Sequence, residues 1–226
     1  MKKITAENIY VIIPVMNNGR FIQGLLQDIE DNGYSNVIVV DDASEDDSYE
    51  KAKAMHAVVL RHTINRGKDA AVKTGIEAAK ILQADIAVTM DGDGRHNPKD
   101  IRQMIDLIDK GIDVVLGSRF LNGKEMPWPE WLANHLGNFL TWLANGLWVT
   151  DNHSNFRAYS RKAIEVIYTE NDRYERDSAV LREIHRKRLN YWEVPIEVRQ
   201  TENSLTRPQR AGLKNSIKTI VRSLIF

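Results

Sequence analysis

The chain alternates short apolar runs with longer segments in which apolar residues recur at helical spacing. Residues 9–14, 37–40, 58–61, 86–90 and 114–116 are β-branched runs without strict apolar–polar alternation, the pattern of strands buried on both faces. Between them, Phe21, Ile22, Leu25, Leu26 and Ile29 fall on one helical stripe, and so do Ile101, Met104, Ile105 and Ile108. Asn97 can cap the second of these helices, and Pro98 suits its first position. Strands and helices alternating at this length predict an α/β fold whose mostly parallel sheet is covered on both sides. Such sheets bind ligands beyond the carboxyl ends of their strands.

Beyond Phe120 the pattern changes. Four of the five tryptophans, Trp128, Trp131, Trp142 and Trp148, lie within 21 residues, and Leu132, Leu136, Phe139, Leu140, Leu143 and Leu147 keep helical spacing through them. Asn134, His135, Asn138 and Asn145 make this stretch amphipathic. A last strand is expected over 191–198. It is followed by a helix in which Leu213, Ile217, Ile220, Val221 and Leu224 share a stripe, with Lys214, Lys218 and Arg222 off it. The chain thus divides into a globular domain over 1–205 and a basic amphipathic extension over 206–226.

Composition narrows the function classes. A chain of 226 residues can bury one sizeable core, so a single domain is expected. The 31 basic and 31 acidic residues cancel, which argues against nucleic-acid binding by bulk charge. Charge is segregated instead: residues 41–50 hold six acidic side chains and no basic one, and residues 207–226 hold five basic and no acidic one. The absence of cysteine excludes disulfides, thiolate metal sites and cysteine nucleophiles. No run reaches the roughly 18 apolar residues of a membrane-spanning helix. Glu7 and Asn8 interrupt the N-terminal apolar run, so no signal peptide is expected. These features are compatible with a cytoplasmic protein, and the basic C-terminal helix and the tryptophan-rich stretch suit either lying on the cytoplasmic face of a membrane or packing on the core.

Two acidic clusters fall at strand ends, Asp41-Asp42 and Asp91-Gly92-Asp93. In a parallel sheet both open onto the same edge, and converging carboxylates are costly without a cation or a hydrogen-bonding ligand between them. Carboxylates on a tight glycine turn suit Mg²⁺ or Mn²⁺, which take hard oxygen ligands. Aspartates that simply form a polar turn fit the local pattern equally well. An EF-hand loop fails on spacing, because Arg95 occupies the third ligand position and Gly94 comes too early. Asn65-Arg66-Gly67-Lys68 lacks the spacing of a phosphate loop. The first strand runs into Pro14-Val15-Met16-Asn17-Asn18 without the glycine-rich loop of a nucleotidyltransferase.

The ordered series VIIPVMNN (11–18), VVDDAS (39–44), NRGK (65–68), MDGDGRHNP (90–98), GSRF (117–120) and DNHSNFR (151–157) resembles the family-2 glycosyltransferases. More narrowly, it is similar to the dolichyl- and polyprenyl-phosphate sugar synthases, over residues 9–200. The resemblance implies a GT-A fold, Rossmann-like with helices flanking a mostly parallel sheet. It also implies an inverting transfer from a nucleotide-sugar donor to a lipid-phosphate acceptor, dolichyl or undecaprenyl phosphate, assisted by Mg²⁺ or Mn²⁺. Carried onto this chain, it has Pro14 and Asn17 border the nucleotide, Asp41 or Asp42 read the base, and Lys68 join the nucleotide-binding set. Asp91 lies at the sugar-diphosphate end, with Asp93 the firmest metal ligand and Asp91 beside it. Arg119 and Arg157 neutralise phosphate oxygens, and Ser154 with Arg157 meets the acceptor.

A lipid phosphate is already an anion at neutral pH and needs no general base. A saccharide hydroxyl would need one, and Asp151, His153 and Asp177 are on offer. The chain departs from the family pattern at several places. Asn18 stands for a usual glutamate, and Arg95 for a glutamine that helps hold the metal. Asn155 replaces a glycine, a change that asparagine's tolerance of left-handed backbone would make mild. Ala179 falls near the place of an acid, and Asn203-Ser204-Leu205 lacks a Ser-Lys pair for which Arg207 would compensate. Three readings therefore stand: transfer to a lipid phosphate at the cytoplasmic membrane face, transfer to a saccharide hydroxyl, and a catalytically silent nucleotide-binding scaffold.

Overall fold

In the computed structural model, which describes residues 8–122, 138–139, 142–143, 146–152, 154–167 and 178–199, the apolar runs become strands of one sheet. They are β1 (Ile9–Val15), β2 (Val37–Asp41), β3 (Val58–Arg61), β4 (Ile86–Thr89) and β5 (Val114–Ser118), followed by β6 (Arg157–Ser160) and β7 (Tyr191–Pro195). Helices α1 (Ile22–Asp31), α2 (Ser48–Lys53), α3 (Lys68–Ile81), α4 (Ile101–Ile108), α5 (Arg161–Val166) and α6 (Ser178–Arg186) alternate with them. The strand order is β3-β2-β1-β4-β6-β5-β7. Every neighbouring pair is parallel except those of β6, which runs antiparallel to β4 and to β5.

Successive residues of the central strands feed two cores. Ile13 and Val39 pack with Ile22, Leu25 and Ile29 of α1 and Ile101, Met104 and Ile105 of α4 on one face. Ile12 and Val40 pack with Val72 and Ile76 of α3, Ile164 of α5 and Leu181 and Ile184 of α6 on the other. Burial on both faces is why these strands carry no apolar–polar alternation. The two expected helical stripes are buried as read, except that Phe21 sits half-buried at the N-cap of α1. Asn97 accepts a hydrogen bond from the Lys99 N–H at 3.2 Å and caps a 3₁₀ turn, Pro98–Asp100, that leads into α4.

Three strands differ from expectation. β3 is the sheet edge, and Val58 is 44% exposed because no strand covers its outer side. The last strand stops at Pro195, beyond which Val198 makes only an isolated bridge to His96. β6 has no counterpart in the sequence reading, because four residues with two apolar side chains give too short a pattern. Trp128, Trp131, His153, Asp177 and the whole 206–226 stretch lie outside the described residues. Among the described residues no helix is long and apolar enough to cross a membrane. The carboxyl ends of β1, β2, β4 and β5 share one edge, and the antiparallel β6 begins there, Arg157 pairing with Thr89.

Candidate active site

The loop after β1 is braced against the acidic turn after β4. Asn17 adopts a left-handed backbone (φ 53°); its Oδ1 accepts the Glu45 N–H at 2.9 Å, and its own N–H donates to Ser44 Oγ at 3.0 Å. The Asn18 side-chain amide donates to the Gly92 carbonyl at 2.7 Å. A Cβ on Gly92 would lie 2.9 Å from the Pro14 carbonyl and 3.3 Å from Ile13 Cγ2, so only glycine lets the turn press onto the end of β1. The departure at Asn18 thereby acquires a reason: an ionised glutamate has no proton to give that carbonyl.

Asp42 organises the loop that leads into α3. Its Oδ1 accepts the Arg66 N–H at 2.9 Å, its Oδ2 accepts the Gly67 N–H at 2.7 Å, and His62 Nδ1 lies 2.7 Å from Oδ1. His62 Nε2 in turn lies 2.9 Å from Thr74 Oγ1 on α3. These bonds fix where α3 begins and so where Lys68, its first residue, stands. Asp41 is fully buried, with Oδ1 accepting the Ser44 N–H at 3.3 Å. Among the described residues its Oδ2 accepts no hydrogen bond, but it forms an ion pair with Arg61, whose Nε lies 3.1 Å away with the guanidinium stacked on Tyr49. Of the two carboxylates implied to read a base, Asp41 is buried against Arg61 and Asp42 is committed to the chain.

Lys68 brings the two acidic clusters together. Its Nζ lies 3.1 Å from Asp91 Oδ1, which also accepts from Asn155 Nδ2 at 3.3 Å. Burial pushes the Asp91 carboxyl up, but the Lys68 ammonium, the His96 ring and the hydrogen bonds from Lys68 and Asn155 outweigh it and hold Asp91 below its ordinary value. Asn155 has negative φ, and Thr89 Oγ1 donates to its carbonyl at 2.7 Å, so its side chain rather than its backbone tolerance explains its presence where glycine is usual.

Asp93 is engaged by Arg95, whose Nε lies 2.7 Å from Oδ2. The Asp91 and Asp93 side chains are 19% and 18% exposed. They offer hard oxygen donors that suit Mg²⁺ or Mn²⁺. Among the described residues no group of three or more potential acidic or histidine ligands is assembled. The two carboxylates could supply only part of such an ion's shell, and phosphate and water would have to complete it.

His96 anchors this turn, and sequence reasoning passed over it. Its Nδ1 accepts the Asp91 N–H at 3.2 Å, and its ring stacks on Phe156 at 4.9 Å. Burial pushes the imidazole below its ordinary value, against the opposing pull of Asp91 and Asp93. A lowered folded value means that the unfolded chain takes up the proton first, so stability falls as pH drops below the unfolded value of about 6.5. Asp91, also lowered, adds its loss only as pH falls below about 3.9. The melting temperature should therefore decline from pH 7 to pH 5, and less steeply in His96→Phe, which keeps the stacked ring. Equal slopes in the two proteins would remove His96 as the source.

Arg157 and Arg119 reach the same edge from β6 and from the end of β5. Arg157 is buried and its Nε donates to the Ser154 carbonyl at 2.9 Å, while Ser154 Oγ accepts the Phe156 N–H at 3.3 Å. Arg119 forms a bidentate pair with Asp151, Nε to Oδ2 at 2.6 Å and NH2 to Oδ1 at 2.8 Å. The Asp151 side chain is 1% exposed, so both oxygens of this candidate base are engaged and shielded. Glu193, raised by its own burial and by the nearby Asp151 charge, accepts the Thr150 N–H and holds that loop from β7. A cavity of about 490 Å³ between α3 and the β3 edge includes no residue of the Asp91 turn.

Comparison with known proteins bears on the family and the fold. The family model described as glycosyl transferase family 2 matches residues 10–168. An uncharacterised protein of Methanocaldococcus jannaschii is 34% identical over 232 residues, covering 99% of this chain and 96% of that protein. The UDP-N-acetylglucosamine–dolichyl-phosphate N-acetylglucosaminyltransferase of Methanococcus voltae is 35% identical over 222 residues, 88% of each chain. Among solved structures, glucosyl-3-phosphoglycerate synthase from Mycobacterium tuberculosis, in complex with Mn²⁺, UDP and glucosyl-3-phosphoglycerate, matches with a TM-score of 0.70 at 20% identity. That match covers 100% of this chain and 84% of the other. At that identity the likeness establishes the shared GT-A-like fold.

Proposed function

The chain belongs to glycosyltransferase family 2, and from that premise we propose that it moves a sugar, with inversion, from a nucleoside-diphosphate sugar to a polyprenyl phosphate. The observation that carries the reading is the meeting of Lys68, Asn155 and the Asp91-Gly92-Asp93 turn at one sheet edge, with the backbones of Arg157 and Arg119 at that same edge. The lipid-phosphate acceptor is supported by the dolichyl-phosphate transferase that matches 88% of the chain.

In this reading Pro14, Asn17 and Asp41 border the nucleotide, and Asp42 acts on it through the loop that sets Lys68. Asp93, with Asp91, holds the divalent ion, Mg²⁺ or Mn²⁺, which when bound supplies positive charge against the diphosphate. The Lys68 ammonium sits where it can shift from Asp91 to a phosphate oxygen of the donor. Arg157 and Ser154 face the acceptor phosphate, and Arg119 is held in place by Asp151. A phosphate acceptor attacks as the anion it already is, which agrees with an Asp151 whose oxygens are both taken. The basic amphipathic stretch 206–226 supports attachment at the cytoplasmic face of an anionic membrane, where such a lipid lies.

The test is transfer of radiolabelled sugar from a panel of nucleotide sugars, UDP-N-acetylglucosamine first, to dolichyl or undecaprenyl phosphate in vesicles with Mn²⁺ or Mg²⁺. Labelled lipid that disappears on chelation is the expected result. Neither transfer nor donor hydrolysis across the panel, in a protein that still binds nucleotide, would turn the reading towards a silent scaffold.

A further inference from the structure

The turn that carries Asp93 also carries its own cation. Arg95 Nε lies 2.7 Å from Asp93 Oδ2, and the Arg95 N–H donates to Oδ1 at 3.1 Å. One residue, two positions on, thus engages both oxygens of the carboxylate. The backbone of Arg95 is pinned: its carbonyl accepts the Arg199 N–H at 2.8 Å, and the adjacent His96 is stacked on Phe156. Its guanidinium side chain, by contrast, is 40% exposed. The geometry is that of a fixed base with a solvent-facing head.

A guanidinium has no lone pair and cannot join the shell of a metal ion. While its Nε–H points at Oδ2, it occupies a direction from which a cation would bind that oxygen. An ion that takes Oδ2 from that direction displaces it. The displaced group remains beside the turn and is planar, permanently charged and shaped to take two phosphate oxygens at once.

We propose that Arg95 is a further donor-binding residue that serves as a placeholder. It neutralises Asp93 while the site is empty and passes to the donor diphosphate when ion and nucleotide enter together. The proposal rests on the reading of this edge as a metal-assisted nucleotide-sugar site. Its consequence is that metal and nucleotide bind cooperatively. The ion alone competes with Arg95, whereas in the presence of diphosphate the guanidinium has a better partner, and the coupling is reciprocal between the two ligands.

The experiment is an electron paramagnetic resonance titration of the full chain with Mn²⁺, with and without UDP, for wild type, Arg95→Met and Arg95→Lys. Methionine removes the charge without adding a hard-metal ligand, and lysine keeps the charge without the fork. Wild type should bind Mn²⁺ weakly alone and at least about 10-fold more tightly with UDP. In Arg95→Met, Mn²⁺ alone should bind about 10-fold more tightly than to wild type, and the gain from UDP should fall by about the same factor, leaving what direct coordination of the ion by the diphosphate supplies. Arg95→Lys should keep the weak binding of Mn²⁺ alone and lose part of the gain. If wild type binds Mn²⁺ with UDP and both variants behave identically to it, the placeholder is overturned and the site reading stands. If no protein binds Mn²⁺ under either condition, the site reading itself fails and the placeholder falls with it.

Discussion

Asp93→Ala is expected to lower sugar transfer by at least ~10³-fold, because it removes the firmest proposed oxygen ligand of an ion that offsets charge on the departing diphosphate. The same change should hardly touch stability. Asp93 sits on a partly exposed turn and its charged partner is the 40%-exposed Arg95, so the lost pair is worth about 0–1 kcal/mol. For a chain of this size that corresponds to a melting-temperature change of no more than about 4 °C. Transfer kinetics and thermal melts on the same preparation check both halves. A variant that retains more than about a tenth of wild-type transfer would leave Asp93 outside the chemistry.

Asp42→Ala is expected to behave in the opposite way, with a large loss of stability and a donor-binding defect that follows from it. The substitution strands the Arg66 and Gly67 N–H groups and deprives His62 of its carboxylate partner, all in a place where Asp42 is 3% exposed. Breaking one side of such a buried charged network costs about 3–5 kcal/mol. The melting temperature should fall by roughly 6 °C or more. Because the same bonds set the start of α3, Lys68 should lose its place beside Asp91 and the KM for the donor should rise. Lys68→Met separates the two effects: it should raise the donor KM with the melting temperature near that of wild type. An Asp42→Ala protein that melts like wild type would show that the loop before α3 is held by something else.

These two aspartates illustrate how far sequence reaches. Asp91-Gly92-Asp93 stood out as a candidate ligand-bearing turn through its place in the order of motifs, since two carboxylates around a glycine fit a plain polar turn equally well. The role of Asp42 did not, because its partners Arg66 and Gly67 stand more than twenty positions away and offer backbone N–H groups, which carry no residue-type signal. His96 was passed over for the same reason, since its acceptor role toward the Asp91 N–H leaves no trace in composition. Asn18 and Asn155 did leave a trace as departures from the family pattern, yet what each does depended on seeing its amide reach Gly92 and Asp91.

The sequence by itself determined the layered α/β architecture, the two helical stripes of α1 and α4, the acidic strand ends and the family, because burial period and motif order are properties of neighbouring residues. Tertiary structure alone decided that β3 is an edge, that β6 enters reversed between β4 and β5, and that Asp151 is paired with Arg119. It also decided that Arg95 rests on Asp93. Strand pairing and the pairing of charges depend on which surfaces meet in space, and periodicity along a chain records only whether a side chain is buried, not what it is buried against.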